Sequence, residues 1–401
     1  MMRRTSLILM WLAMSDCHHD VSIQCDESPT CDLHSGGVCM VAGTGSRWCA
    51  YPDSSCSSGY RYSNFQTGDG LSGVCVSPAD AGVDASTDSG RAAEPAASCI
   101  ALPYTCGTSG NDNCCNSPEV KGGMYFRSFD IAQDAASGDQ SAPATVSGFR
   151  LDKYEVTVGR LRAFVDAGQG TQASHPLTGS GTHLHIPGSG WEAAWNAGLP
   201  ADTPALKATL KCDPTFQTWT DEPAGNENLP INCLSWYEAF AFCAWDGGYL
   251  PTEAEWNYAA AGGSEQRAYP WSTSAGATTI AADRASYKEG TSCNGDGFPD
   301  CTRGDLRPVG SKPAGDGHWG QSDLGGNVFE WTLDWGDIYV TPCVDCANLL
   351  IPQLVTGRVV RGGSFDDNAT VLRTGARYVA SPATQGASRS SGVRCARTSA
   401  L

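Results

Sequence analysis

Cysteine is the reactive residue type that dominates this sequence, with 19 copies among 401 residues. That density is typical of proteins held together by disulfides outside reducing compartments, and the odd count leaves one cysteine over if the rest pair. Cys343-Val-Asp-Cys346 has the spacing of a redox pair or of half a zinc site. The nearest histidine is His318, and this region has no second Cys-x2-Cys pair to complete a zinc site. A structural disulfide is therefore the favoured interpretation, and a redox pair remains an alternative.

Three histidines are the other candidate metal ligands, namely His175, His183 and His185. On a strand, His183 and His185 would point to the same face, as a shared metal ion would require. They lie in an insertion rich in Gly and Ser, which is more typical of a solvated loop.

The charge balance excludes one class of partner. The chain has 26 Lys and Arg against 43 Asp and Glu, a formal net charge of −17. Because binding to nucleic acid needs a basic face, we expect no nucleic-acid partner. The 47 glycines and 22 prolines also favour a loop-rich fold over a helical bundle.

The N-terminus indicates export. Arg3 and Arg4 precede an apolar stretch at residues 7–14, which is too short to span a bilayer. Cys17 follows at once, where a bacterial lipoprotein would be lipidated after cleavage. We expect an exported outer-surface or periplasmic lipoprotein that contacts the membrane only through this anchor; a soluble secreted protein is the alternative.

Composition divides the chain into segments. Six cysteines between Cys25 and Cys75 predict a small disulfide-rich module, whereas the following residues lack large apolar side chains and predict a flexible linker. The vicinal pair Cys114-Cys115 implies two bridges to the two cysteines upstream of it. The predicted segments are a signal peptide (1–16), a cysteine-rich module (17–75), a linker (76–98), a short disulfide-rich segment (99–117) and a large domain (118–399).

Local signals in the large domain predict the elements that position its side chains. Two capping boxes, Ser235 to Glu238 and Thr252 to Glu255, each start a helix that ends at a Gly-Gly pair. A third helix is predicted over 157–168, and strand-like pieces over 145–154 and 358–361 alternate with turn residues. We therefore expect an α+β fold with much irregular structure.

Six motifs in the large domain form a distinctive series. They are PINCLSWYEAF from Pro230, LPTEAEW from Leu250, YPW from Tyr269, GNVFEW from Gly326, RGGSF from Arg361 and GVRCAR from Gly392. In this order they resemble the formylglycine-generating enzyme or sulfatase-modifying factor family over about residues 118–399. The resemblance implies an elaborated C-type-lectin-like α+β fold, here preceded by the small disulfide-rich module.

The family's activity is the oxidation of a sulfatase cysteine to formylglycine, with a copper ion held by two thiolates. In this chain the two implied ligand positions are Asp367 and Leu372, and neither residue can replace a thiolate. We therefore expect no copper. Around these positions, Ser364, Arg361 and Arg373 are candidates for a polar pocket with Asp366 and Asp367.

The resemblance also implies calcium sites and a disulfide. One calcium ligand set is Asp323, Gly326, Val328 and Glu330, and a weaker one is Ser286, Tyr287, Asp296 and Phe298. The implied disulfide joins Cys243 to Cys395. The eight cysteines of the large domain could close as this pair with Cys212–Cys233, Cys293–Cys301 and Cys343–Cys346, one of 105 possible arrangements.

Two functions follow from these expectations. The favoured one is a non-oxidase binding or scaffold protein that recognises a peptide, a glycan or a protein partner at the cell surface. The alternative is an enzyme, either a formylglycine-generating oxidase with an unrecognised ligand set or another metal-dependent oxidase.

Overall fold

The computed structural model describes residues 38–41, 47–53, 55–56, 60–62, 74–76, 96–100, 105–132, 139–276, 279–351, 357–383 and 389–399. The predicted signal peptide, Cys17, most of the predicted linker, and Cys25 and Cys31 lie outside these residues. The chain divides into two compact units, Met1–Arg91 and Ala92–Leu401. In the described residues no helix is both long and apolar enough to cross a membrane.

The first unit contains a small antiparallel sheet. Its strands are β1 (Val38–Val41), β2 (Arg47–Pro52) and β3 (Tyr60–Tyr62), in the order β1-β2-β3. A disulfide joins Cys56 to Cys75, and Arg61 pairs with Asp53 at 2.6 Å beside β3. A three-stranded sheet encloses little apolar volume, so covalent cross-links carry much of the stability of such a module.

The second unit is α+β, as predicted. Its described helices are α1 (Val158–Asp166), α2 (Thr203–Thr209), α3 (Trp236–Trp245) and α4 (Glu253–Ala261). Its described strands are β4 (Glu119–Val120), β5 (Gly123–Phe126), β6 (Pro143–Val146), β7 (Phe149–Leu151), β8 (Lys288–Glu289), β9 (Ser292–Cys293), β10 (Phe329–Trp335), β11 (Arg358–Arg361), β12 (Tyr378–Ala380), β13 (Ser391–Gly392) and β14 (Ala396–Thr398). The largest sheet has the order β12-β11-β10-β13, and a second has the order β14-β7-β4.

Capping interactions fix the starts of the helices where the sequence predicts them. The Ser235 hydroxyl accepts the Glu238 N–H at the start of α3, and the Glu238 carboxylate accepts the Ser235 N–H in return. Thr252 and Glu255 do the same for α4. Thr157 caps α1, which therefore begins at the predicted place. The α3 helix is buried on nearly all sides and forms the centre of the main apolar cluster.

The disulfide-rich segment before the large domain is part of the same compact unit. Cys99 pairs with Cys115 and Cys106 with Cys114, as the vicinal pair implied. The segment also bonds to the large domain, because the Ser98 N–H donates to the Asp246 carboxylate at 2.7 Å. The fold of the large domain therefore includes residues on the N-terminal side of its predicted boundary.

Candidate functional site

The expected copper positions lie just after β11, in a turn that contains two glycines with positive φ. The Asp367 carboxylate folds back onto Ser364 and accepts its backbone N–H at 3.1 Å and its hydroxyl at 2.5 Å. Burial raises the pKa of the Asp367 carboxyl, although the bonds from Ser364 oppose the rise. Leu372 is 1% exposed and packs against Tyr269 and Tyr287. One position thus braces a turn and the other fills an apolar cluster.

The second unit has no thiol to replace the missing ligands. All twelve of its cysteines are described, and all belong to disulfides. The six bonds are Cys99–Cys115, Cys106–Cys114, Cys212–Cys233, Cys243–Cys395, Cys293–Cys301 and Cys343–Cys346. The pairing of the last eight cysteines is the arrangement named among the possibilities, and it includes the implied Cys243–Cys395 bond. The residues present therefore do not fit a copper ion held by two thiolates.

The predicted polar pocket of Arg361 and Arg373 with Asp366 and Asp367 is wrong. Both arginines are buried and bond to carboxylates on other elements. Arg361 pairs with Glu253 at the start of α4 and donates to main-chain carbonyls from its other nitrogen. Arg361 precedes the glycine turn and Arg373 follows it, but their partners come from distant segments that local patterns do not reveal.

Asp366 and Arg373 do not pair with each other. Arg373 makes two hydrogen bonds to the buried Asp130 carboxylate, at 2.8 and 3.0 Å. Asp366 instead pairs with Lys288 at 3.1 Å and with Arg389 at 2.6 Å. These partly exposed pairs add little to stability.

The first implied calcium set contains two carboxylates, of which Glu330 is fully buried and Asp323 is partly exposed. The Asp323 carboxylate accepts the Gly310 N–H at 2.6 Å. Glu330, which is 0% exposed, receives two bonds of 2.6 Å from the Arg394 guanidinium and one of 2.7 Å from the Trp256 indole. Both oxygens of Glu330 are thus already engaged by protein donors.

Glu155 is a third carboxylate of this region, 0% exposed, that sequence analysis missed. It accepts the Val328 N–H at 3.1 Å and the side-chain amide of Asn327 at 2.6 Å, inside the implied calcium loop. Burial raises the pKa of Glu155 well above its usual range, and the charges of Asp323 and Glu330 raise it further. In the sequence, the one feature that could have indicated this buried carboxylate is its position between Tyr154 and Val156, just before α1.

The residues of this loop fit a calcium ion in their donor chemistry. Three carboxylates, those of Glu155, Asp323 and Glu330, interact with the Arg394 guanidinium, and Lys312 also interacts with Asp323. Negative charge is still in excess, and loss of solvation raises the pKa of Asp323 to about 6. Gly326 has a φ of +90°, and a Cβ there would lie 2.2 Å from the Ser286 carbonyl oxygen, so only glycine allows this loop path. Carboxylate and carbonyl oxygens, the latter from Gly326 and Val328, are the ligand types that calcium prefers.

The weaker calcium set uses its donors within the protein. The Ser286 hydroxyl donates to a main-chain carbonyl at 2.5 Å, and the Tyr287 carbonyl accepts a main-chain N–H at 3.0 Å. The Asp296 carboxylate accepts the N–H of Phe298, whose ring is 66% exposed. This set braces a turn and shows no excess of buried negative charge.

Other possible metal ligands are also engaged. In the described residues one group of three ligand atoms from His, Cys, Asp or Glu lies within 4.8 Å, and it consists of Cys293, Cys301 and Asp366. The two sulfurs form a disulfide, which leaves no metal centre there. In the histidine insertion, His183 is buried rather than solvated. Its Nε2 lies 3.1 Å from the Glu255 carboxylate, and its Nδ1 accepts the His185 N–H at 3.1 Å, so both ring nitrogens have protein partners.

The fold and the ordered motifs define this unit as an α+β domain of the formylglycine-generating-enzyme kind, with the copper positions altered. Residues 112–399 match the family described as "Sulfatase-modifying factor enzyme 1-like domain". The chain belongs to this family.

Named relatives include both active and inactive proteins. The "Formylglycine-generating enzyme" of Thermomonospora curvata is 29% identical over 304 residues, which cover 68% of this chain and 91% of that protein. The "Inactive C-alpha-formylglycine-generating enzyme 2" of Mus musculus is 29% identical over 265 residues, 62% of this chain and 74% of that protein. Among solved structures, PvdO from Pseudomonas aeruginosa is 20% identical, covers 70% of this chain and 93% of its own, and has a TM-score of 0.47.

Proposed function

We propose that this protein is a non-oxidase member of the family, in which the formylglycine-generating-enzyme-like domain binds a partner or serves as a scaffold. The observation that carries the proposal is the replacement of both thiolate positions, by Asp367 and Leu372, in a unit whose cysteines are all in disulfides. Copper chemistry of the family's kind needs two soft ligands, and these residues supply none. That one similar protein is named inactive is in keeping with this proposal.

A peptide assay tests this proposal. The purified full chain is incubated with copper, a reductant, oxygen and a peptide of the Cys-x-Pro-x-Arg type, beside the Thermomonospora curvata enzyme as a positive control. We expect the peptide mass to stay unchanged with this chain, because no ligand pair holds the copper. Loss of mass that matches conversion of the peptide cysteine to formylglycine would support the oxidase alternative instead.

We further propose that the protein is exported and anchored through a lipid on Cys17, with its domain at the outer surface or in the periplasm. The N-terminal charge, the short apolar stretch and the early cysteine support this proposal. There the domain would meet a peptide, a glycan or a protein partner. Metabolic labelling with a palmitate analogue is expected to mark the wild type and not a Cys17→Ser variant; equal labelling of both would reject the anchor.

We propose calcium as the cofactor of the loop that contains Asp323, Gly326, Val328 and Glu330. The ion would offset the excess negative charge of Glu155, Asp323 and Glu330 and fix the loop, without taking part in a reaction. If calcium is present at 100 times its dissociation constant, binding adds about 2.7 kcal/mol and raises the melting temperature by roughly 5 °C.

Thermal unfolding with calcium or with a chelator measures this effect. Asp323→Asn should keep the hydrogen bond from the Gly310 N–H but lose the calcium-dependent rise. Asp296→Asn, in the weaker set, is the matched control and should keep the rise. Equal melting temperatures of the wild type in calcium and in chelator would argue against the site.

A further inference from the structure

Arg127 is a buried cation without a carboxylate partner. Arg127 is 4% exposed, and its guanidinium donates a hydrogen bond to the Val340 carbonyl at 2.7 Å. The guanidinium carbon lies 4.4 Å from the centre of the Tyr339 ring. In the part of the chain that the structure describes, no carboxylate lies within 4.0 Å of this guanidinium, whereas its Nη1 lies 3.5 Å from the Cys346 sulfur.

This arrangement differs from that of the other buried arginines. Arg160, Arg361, Arg373 and Arg394 each pair with at least one carboxylate. Arg358 does not, but it lies between indole rings, with ring centres at 3.8 and 4.0 Å. A buried charge is costly unless it is compensated, so Arg127 favours the arrival of an anion beside it.

Reduction of the Cys343–Cys346 disulfide would supply that anion. The Cys346 thiolate would form next to a guanidinium, and a neighbouring cation stabilises a thiolate relative to the thiol. Stabilising the reduced form makes a disulfide a stronger oxidant. The unbalanced charge of Arg127 therefore shifts the equilibrium toward the dithiol.

The loop keeps both sulfurs close together and leaves one of them accessible. The Thr145 N–H donates to the Cys343 carbonyl at 2.9 Å, and the Asp345 N–H donates to the Thr145 carbonyl at 2.9 Å. Cys343 is 5% exposed, Cys346 is partly exposed, and the Val344 side chain between them is 69% exposed. Of the two cysteines, Cys346 is therefore the one closer to solvent.

Contact with a guanidinium, and not exposure, distinguishes this disulfide in the unit, because Cys212 is exposed and Cys301 is partly exposed as well. Both sulfurs of Cys243–Cys395 belong to residues that are 0% exposed. The side chains at hydrogen-bond distance from sulfurs of the other described disulfides are the hydroxyls of Ser98 and Thr105, and an Asp366 carboxylate oxygen lies within 4.8 Å of the Cys293 and Cys301 sulfurs. Among the disulfides that the structure describes, Cys343–Cys346 is the one in contact with a guanidinium.

We propose that Cys343–Cys346 is a thiol–disulfide exchange site for dithiol substrates, in which Arg127 holds the Cys346 thiolate. A substrate thiolate attacks the Cys346 sulfur, and the bond to Cys343 breaks as Cys343 leaves and takes a proton. The second substrate thiolate then attacks the substrate sulfur of the mixed disulfide and displaces the Cys346 thiolate. The substrate is oxidised to a disulfide, the pair is reduced to one thiol and one thiolate, and one proton is released. The proposal is independent of the binding function above.

Equilibration of the full chain with glutathione buffers tests the proposal. After acid quenching, each cysteine is alkylated and the reduced fraction of every disulfide is read by peptide mass spectrometry. We expect Cys343–Cys346 to be half reduced at a ratio of [GSH]² to [GSSG] at least tenfold lower than Cys293–Cys301, a difference of about 30 mV for two electrons. Similar ratios for both disulfides would overturn the proposal.

The role of Arg127 is tested by Arg127→Met, with Arg162→Met as the control for loss of an arginine. We expect Arg127→Met to raise the half-reduction ratio of Cys343–Cys346 at least tenfold and Arg162→Met to leave it unchanged. An unchanged ratio in Arg127→Met would reject the role of the guanidinium.

A measurement on the wild type serves if Arg127→Met does not fold. In the partly reduced wild type, Cys346 should react with iodoacetamide at half its maximal rate at least one pH unit below about 8.5, the ordinary value for a cysteine. Half-maximal reaction at or above pH 8.5 would overturn the proposal.

Discussion

Replacing Arg160 with Met is expected to lower the free energy of unfolding by about 3 kcal/mol or more. The Arg160 guanidinium is 0% exposed and bonds to the carboxylates of Asp152 at 2.9 Å and Asp246 at 2.6 Å. After the substitution, Arg397 alone would remain to pair with these two buried carboxylates. The bond from Arg160 to the Ser98 hydroxyl, at 3.0 Å, would also be lost, so the disulfide-rich segment would be held less firmly.

Arg162→Met is the matched control, because Arg162 lies two residues further along the same helix. It pairs with Glu227 at 2.9 Å, but the Glu227 side chain is 33% exposed. Solvent screens this pair, so we expect a loss of about 0–1 kcal/mol. Denaturant unfolding of the oxidised proteins measures both values. A loss below 1 kcal/mol in Arg160→Met would show that the buried network does not stabilise the fold.

Removal of the Cys243–Cys395 disulfide is also expected to lower the free energy of unfolding by several kcal/mol, about 5 kcal/mol in the chain-entropy account. The double variant Cys243→Ala, Cys395→Ala opens a cross-link between residues 152 positions apart. In the chain-entropy account, such a cross-link stabilises the folded state by about 5 kcal/mol, because it restricts the unfolded chain. Both cysteines are also fully buried between α3 and the C-terminal strands, so their loss disturbs packing as well.

The matched control is the double variant Cys293→Ala, Cys301→Ala. This disulfide joins residues only 8 positions apart, and the same account gives roughly 2.5 kcal/mol. Thermal and denaturant unfolding of the two variants should therefore rank the long cross-link first. An equal or smaller effect of the long cross-link would contradict the account.

The elements that local signals specify were predictable from the sequence. Each capping box joins residues three apart, so Ser235 and Thr252 mark the starts of α3 and α4 without knowledge of the rest of the fold. The α2 helix was not predicted, although Asp202 caps it and a proline lies in its first turn. Its sequence carries only one strongly buried side chain, Leu206, and so shows no apolar stripe.

The site was predictable only where a motif fixes positions along the chain. The substitutions at Asp367 and Leu372 follow from the register of the motif after β11. The partners of charged residues do not follow in this way, because Glu155 lies 172 residues from Asn327 and Arg373 lies 243 residues from Asp130. Tertiary packing brings these groups together, and a single sequence carries no local signal for it.

The structure indicates how the fold persists without the copper ligands. Leu372 packs in an apolar cluster at an implied thiolate position, and the Asp367 carboxylate accepts hydrogen bonds from the N–H and hydroxyl of Ser364. Neither substitution leaves an unpaired buried charge at the former site. The fold of this domain therefore accommodates Asp367 and Leu372 at the two implied copper positions.

Native mass spectrometry after loading with Cu(I) tests this central claim most directly. The protein used is the double variant Cys343→Ala, Cys346→Ala, so that copper held by a reduced Cys343–Cys346 pair is not counted, and the Thermomonospora curvata enzyme serves as the positive control. We expect the mass of this chain to show no bound copper under conditions in which the control binds it. One copper ion per chain would contradict the claim that Asp367 and Leu372 abolish the site.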